Sequence, residues 1–244
     1  MEITSIKTTN REVAGTNIIG QASCIIDNAV AVNSILIRRA NNGQAYVQMP
    51  QQKNAKTEKY QDVAFPITTD GRTTISDEIL KHFHNPDTPQ NTESNKPCQI
   101  DVQLFNVQSD KSSVLARGSI TVNNEFVVKG VKVVQNKDGI PFVSLPSSYN
   151  PNTKKSYSLI SPANKNAYVR ISDVVISAYN QNKQSAEEYV YENLTEQQLS
   201  KLSNTTDIKF DIGKVQEDGS AIVRINGADK PKLEQILGAT ANKI

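Results

Sequence analysis

An α+β fold, built from two tandem copies of one small antiparallel β-sheet domain each closed by a helix, is what this sequence predicts. Three observations carry the prediction. A shift of 96 residues superposes landmarks along most of the chain in one ungapped register. Short stretches alternating apolar and polar residues are separated by Asn- and Gly-rich turns, as in half-buried strands. Each copy then ends in a stretch with apolar residues at helical spacing. The shift places Ser23, Asn28 and Val32 on Ser119, Asn124 and Val128. It also places Gly43, Val47, Pro50 and Pro66 on Gly139, Val143, Pro146 and Pro162, and Ile75-Ser76-Asp77 on Ile171-Ser172-Asp173. Copy one spans 1–86, a linker 87–98, copy two 99–182, and a different C-terminal segment 183–244.

The elements follow in chain order. Ala22 to Ile26 and its counterpart Gly118 to Val122 read as strands. Asp27-Asn28 and Asn123-Asn124 read as turns, since Asn tolerates left-handed backbone angles. Val30 to Ile37 and Phe126 to Val134 carry the chain back. Asn42-Gly43 and Asp138-Gly139 predict two-residue hairpin turns, with Ala45 to Met49 and Phe142 to Leu145 as returning strands. Pro50 and Pro146 stop them, because proline cannot donate to a ladder. Polar loops follow, Gln51 to Gln61 and Ser147 to Ser158. In copy one a helix is expected from Thr74, capped with Asp77, with Ile75, Ile79, Leu80 and Phe83 on one face. In copy two Ile171, Val174, Val175, Ala178 and Tyr179 repeat that face, with Arg170 in place of the capping threonine. Three prolines between Asn85 and Pro97 mark the linker.

The C-terminal segment matches neither copy. Ser185 with Glu188 predicts a helix carrying Tyr189, Val190 and Leu194, and Thr195 with Gln198 another carrying Leu199 and Leu202. Ile208 to Ile212 and Ala221 to Ile225 flank a hairpin signal at Asp218-Gly219, and Pro231 to Leu237 reads as helical. A helical and ββα extension is the expectation, either a unit of its own or packed on copy two.

Composition excludes several classes. With 37% hydrophobic and 21% charged residues the chain is globular. No apolar run approaches the roughly 20 residues of a membrane span, so no membrane partner is expected. The start Met1-Glu2-Ile3-Thr4 lacks the basic and apolar blocks of a secretory signal. Two cysteines make a poor disulfide framework, and a cytoplasmic location is expected. Basic residues exceed acidic ones by nine to eight over 1–86 and nine to five over 99–182, whereas 183–244 is acidic by ten to eight. Bulk charge therefore does not announce nucleic-acid binding. His82 and His84, two apart on a helix, diverge rather than converge on a metal. No Walker-type glycine loop and no further histidine is present. No catalytic residue, metal or cofactor is expected.

The ordered set Ser23 to Ile37, Asn42-Gly43 to Met49-Pro50 and Tyr60-Gln61-Asp62-Val63-Ala64-Phe65-Pro66-Ile67 resembles the stage V sporulation protein G (SpoVG) family of septation regulators. Copy two keeps Asn124 to Val128 and Leu145-Pro146. The resemblance implies a small αβ domain that pairs through its sheet and binds DNA or RNA as a regulator. The tandem copies would then pair within one chain as a covalent pseudo-dimer, with higher oligomers also open. It directs attention to basic residues near the post-proline loops: Lys53, Lys56 and Lys59 in copy one, Lys154 and Lys155 in copy two, and Arg38-Arg39 at a strand end. These lysines are either solvated surface or phosphate contacts. Tyr60, Tyr149 and Tyr157 either stack on bases beside them or plug the sheet edge. The family's paired basic residues read Gln52-Lys53 and Ser148-Tyr149 here, and its basic tail is replaced by an acidic segment. A protein-interaction module, with a partner on the C-terminal segment, is the alternative function.

Overall fold

Alternation of buried and half-exposed residues builds the strands, and the 96-residue register recurs element by element. The computed structural model describes all residues except 55–56, 91–97, 108–111, 187, 204–207, 209, 216–220, 239–241 and 244. Copy one contains β1 (Ile3–Asn10), β2 (Ile18–Ile26), β3 (Val30–Arg39), β4 (Ala45–Gln48), β5 (Gln51–Lys53), β6 (Tyr60–Asp62), β7 (Ala64–Pro66) and α1 (Thr69–His84). Copy two repeats them as β8 (Ile100–Asn106), β9 (Val114–Val122), β10 (Phe126–Gln135), β11 (Pro141–Ser144), β12 (Ser147–Asn150), β13 (Lys155–Ser158), β14 (Ile160–Pro162) and α2 (Lys165–Ala186). The packing divides into two units, Met1–Ile176 and Ser177–Ile244.

Within the first unit each copy forms an antiparallel sheet, β1-β2-β3-β4 and β8-β9-β10-β11. The long strands β3 and β10 bury Val30, Val32, Ile35 and Ile37, and Phe126, Val128, Val131 and Val133. The two-residue period slips once in each strand, at Ser34 (φ 58°) and Gly130 (φ 76°). A bulge there re-aims the rest of the strand. The turns Asp27-Asn28 and Asn123-Asn124 have positive φ at both residues, the backbone of a tight two-residue hairpin. The turns at Gly43 and Gly139 differ from expectation: each is a three-residue loop. The N–H of Gly43 donates to the Ala40 carbonyl (2.9 Å) and that of Ala40 to the Gln44 carbonyl (2.8 Å), with the same pattern at Asn136, Gly139 and Ile140. A left-handed glycine closes such a loop.

The last short strand of each copy leaves its own sheet. β7 pairs with β10 of copy two, Phe126 opposite Pro66 and Val128 opposite Ala64. β14 pairs with β3 of copy one, Val30 opposite Pro162 and Val32 opposite Ile160. Flanking bonds obey the same symmetry: Lys129 N–H to the Val63 carbonyl and Asn33 N–H to the Leu159 carbonyl, both 2.8 Å. The copies are thus stitched together by a reciprocal exchange of strands.

Both copy helices start earlier than the Thr74 signal suggests. Thr68 caps α1, its hydroxyl accepting from the Gly71 N–H at 3.1 Å. Asn164, at the equivalent position, caps α2 by accepting from the Ala167 N–H at 2.9 Å. Thr74 instead donates to the Asp70 carbonyl inside the helix. α1 packs on β1 and β4 and buries Ile75, Ile79 and His82. Beneath it Cys24 is buried, and desolvation pushes its thiol up from 9.0 to about 12. The folded state holds the proton more tightly than the unfolded chain does. Stability from this group is therefore full below pH 9 and lost as pH rises from 9 toward 12. A thiol reagent at pH 8 is expected to label half-exposed Cys98 in the folded protein and Cys24 only after unfolding; equal labelling rates would contradict the burial.

The second unit holds β15 (Glu188–Leu194), α3 (Glu196–Ser203), β16 (Phe210–Val215), β17 (Ala221–Asn226), α4 (Lys230–Leu237) and β18 (Asn242–Lys243). Its sheet runs β16-β17-β15-β18. Tyr191, Leu194, Leu202, Ile208, Val223, Ile225, Leu233 and Leu237 form its core. The helix expected from Ser185 is instead strand β15. Ser185 lies inside α2, and Tyr189-Val190-Tyr191 are aromatic or β-branched residues that pair with β17. The Thr195–Gln198 capping box is present: Thr195 N–H donates to Gln198 Oε1 at 2.9 Å, and Gln198 N–H to Thr195 Oγ1 at 3.4 Å. The Asp218-Gly219 hairpin signal lies outside the described residues.

Candidate nucleic-acid interface

One face of the copy-one sheet buries Cys24, Ile26, Ile35 and Ile37, so the alternate residues must point the other way. That second face is polar and basic. Lys7, Thr9 and Arg11 succeed one another on β1, Gln21 and Ser23 on β2, and Leu36 and Arg38 on β3. Together they floor a groove of about 1170 Å³. Tyr60 on β6 borders it, as does Tyr157 on β13, contributed by copy two. The two hairpins meet where the Gln52 side-chain amide donates to the Ser147 carbonyl at 2.5 Å.

Among the described residues the groove is lined by three cationic side chains, Lys7, Arg11 and Arg38, and by no carboxylate. The arginines are held by neutral groups. Arg38 donates through Nε to Gln48 Oε1 and through Nη1 to Asn17 Oδ1 at 2.5 Å. Arg11 Nη1 donates to Gln21 Oε1 at 3.2 Å. Amide oxygens orient a guanidinium without cancelling its charge, which leaves a preorganised anion-attracting surface.

The residues singled out from sequence are distributed unevenly. Arg38 lines the groove, while Arg39, exposed at the end of β3, does not. Lys53 ends β5 and sits 3.5 Å from Glu58, which offsets its charge. Lys59 is exposed on the same hairpin, and its carbonyl accepts from the Asn54 N–H. Lys56 lies outside the described residues. Lys154 occupies a left-handed turn position (φ 53°), and Lys155 pairs with the groove-lining Asn150. Tyr149, opposite Ser156 on the exchanged hairpin, is exposed but does not line the groove. Lys7 and Arg11 escaped sequence reasoning; the signal was there in the period-2 spacing Lys7, Thr9, Arg11 of a strand whose other parity carries Ile6. His82 is buried, with Thr8 Oγ1 at 3.0 Å from Nδ1 and Gln90 Nε2 at 3.3 Å from Nε2, so it serves packing.

The family model for SpoVG matches residues 1–85 and, a second time, 99–181. The chain belongs to the SpoVG family. It is 32% identical over 79 residues to a SpoVG septation protein of Listeria monocytogenes serotype 4b (strain F2365), covering 32% of this chain and 74% of that protein. It is 32% identical over 92 residues to the SpoVG septation protein of Bacillus pumilus (strain SAFR-032), 38% of this chain and 91% of that one. With the SpoVG protein of the archaeon Archaeoglobus fulgidus it shares 39% identity over 67 residues, 28% and 76% of the two chains. Most of each SpoVG relative is thus matched by a stretch no longer than about one copy. Among the described residues no helix is long and apolar enough to cross a membrane.

Proposed function

We propose that this chain is a non-catalytic regulator that binds DNA or RNA, its two SpoVG copies acting as a covalent pseudo-dimer. The observation that carries the reading is the copy-one groove, with three cations, two of them arginines held by neutral partners, and no acid among its described lining residues. Binding to such a surface is mainly phosphate neutralisation and counterion release. The reciprocal exchange of β7 and β14 supports the pseudo-dimer: each copy completes the other's sheet, as two separate chains would, and the linker keeps the partner at high effective concentration.

The test is binding of the full chain to labelled single- and double-stranded DNA and RNA across a salt series. Affinity is expected to fall linearly on a log–log plot, by about 0.7 to 0.9 log unit per phosphate contact for each tenfold rise in salt. Absence of binding at 20 mM salt would overturn the proposal. The alternative, a protein-interaction module, would then move forward. It draws on Phe105, 72% exposed on β8, and on the acidic C-terminal segment.

A further inference from the structure

We infer that the copy-one groove is a site for unpaired nucleic-acid bases, present once per chain. The inference rests on the nucleic-acid reading above and names the ligand class of that same groove. Duplex backbones need little more than cations placed to meet phosphates. This groove offers more. Between the cations its floor carries the side-chain amides of Gln21, Gln48 and Gln51; Gln48 Nε2 donates to Gln51 Oε1 and Gln51 Nε2 to Asp62 Oδ1, both at 2.7 Å, and each amide keeps a second N–H and a second lone pair. Half-buried Leu36 adds apolar surface beside them. Base edges and base faces require this mixture, and both are accessible only when a strand is unpaired.

The two tyrosines point the same way. Tyr60 is 67% and Tyr157 46% exposed, on two different hairpins that border one groove. Rings left that open cover little of the sheet and contribute little to the core, so the edge-plugging reading explains them poorly. A ring beside a basic track is instead a stacking platform for successive bases. Arg38 adds a planar guanidinium, oriented by Asn17 and Gln48, that can stack as well as pair with phosphate.

Copy two does not repeat the site. The positions 96 residues on from Lys7, Arg11, Arg38 and Tyr60 hold Gln103, Val107, Val134 and Ser156. Copy two contributes instead its hairpin, and with it Tyr157, to the copy-one groove. Two identical chains exchanging strands would form two equal grooves; here the equivalent copy-two face holds a smaller pocket of about 250 Å³, lined by Phe105, Arg117 and Lys132 and with no tyrosine among its lining residues. Stoichiometry therefore distinguishes it from a symmetric pair.

The experiment measures fluorescence anisotropy of the full chain with a labelled 12-nucleotide single strand, as DNA and as RNA, and with the 12-base-pair duplex of the same sequence. The variants are Tyr60→Leu with Tyr157→Leu, and Tyr60→Phe with Tyr157→Phe. The single strand is expected to bind at least tenfold tighter than the duplex, one strand per chain. The leucine pair should weaken single-strand binding about 30-fold, a factor within what two lost stacking contacts cost. Its thermal melt should not change, and the phenylalanine pair should bind like the parent. Equal affinity for strand and duplex, two strands per chain, or an unaffected leucine pair would overturn the inference while leaving the nucleic-acid reading standing. No binding of any oligonucleotide at 20 mM salt would overturn both.

Discussion

The triple variant Lys7→Gln, Arg11→Gln, Arg38→Gln is expected to keep its fold and lose most of its affinity for nucleic acid. All three side chains stand on one open sheet face, and none reaches into the apolar layer beneath α1. Removing three phosphate partners from a single-strand site should make the plot of log affinity against log salt shallower by about 2. The same counterion argument gives a loss on the order of 100-fold at 50 mM salt. Lys53→Gln should cost far less, because Glu58 already offsets that charge. Anisotropy titrations at four salt concentrations check both expectations. An unchanged slope in the triple variant would show that binding uses another surface.

Phe126→Ala should destabilise the first unit by about 3–5 kcal/mol, the usual cost of emptying a buried aromatic site. Phe126 is fully buried and opens β10, facing Val122 in its own copy and Pro66 of the exchanged β7. Its loss loosens a ladder to which both copies contribute. Hydrogen exchange followed by mass spectrometry is the suitable measurement, since it reports each segment separately. Protection is expected to fall at Ala64–Pro66 as well as at Phe126–Val128, and at β14 with β3. A loss confined to copy two would contradict the stitched arrangement.

The duplication was legible because its markers are local. Asn28, Gly43, Pro50 and their partners 96 residues on each answer to backbone angles or missing donors at one position, and each keeps its place in the structure. The exchange was not legible. Nothing local marks Ala64-Phe65-Pro66 as a strand, and the edge it joins depends on packing between segments roughly 60 residues apart. The helix starts moved for a related reason. Thr68 and Asn164 are ordinary caps, but a second capping signal at Thr74 and Asp77 lay closer to the apolar stripe.

The groove divided along the same line. Arg38 and the tyrosines stood out as basic or aromatic residues near loops. Lys7 and Arg11 on β1 meet Tyr157 only after the copy-two hairpin reaches the copy-one sheet. Of the lysines that sequence favoured, Lys53, Lys59, Lys154 and Lys155 lie on the two hairpins, and for Lys53 only the fold reveals the neighbouring Glu58. In the C-terminal segment a capping pattern at Ser185 was outweighed by the pairing of β15 with β17, a tertiary preference that local propensity cannot register.

The most direct test of the central claim is a nuclear magnetic resonance titration of the full chain with a 12-nucleotide single strand, following backbone and arginine side-chain signals. Shift changes are expected at Lys7, Arg11 and Arg38 on the sheet and at Tyr60 and Tyr157 on the two hairpins, with none at the equivalent Gln103, Val107 and Val134. Saturable shifts confined to copy two or to residues 183–244, with the copy-one face silent, would contradict the account.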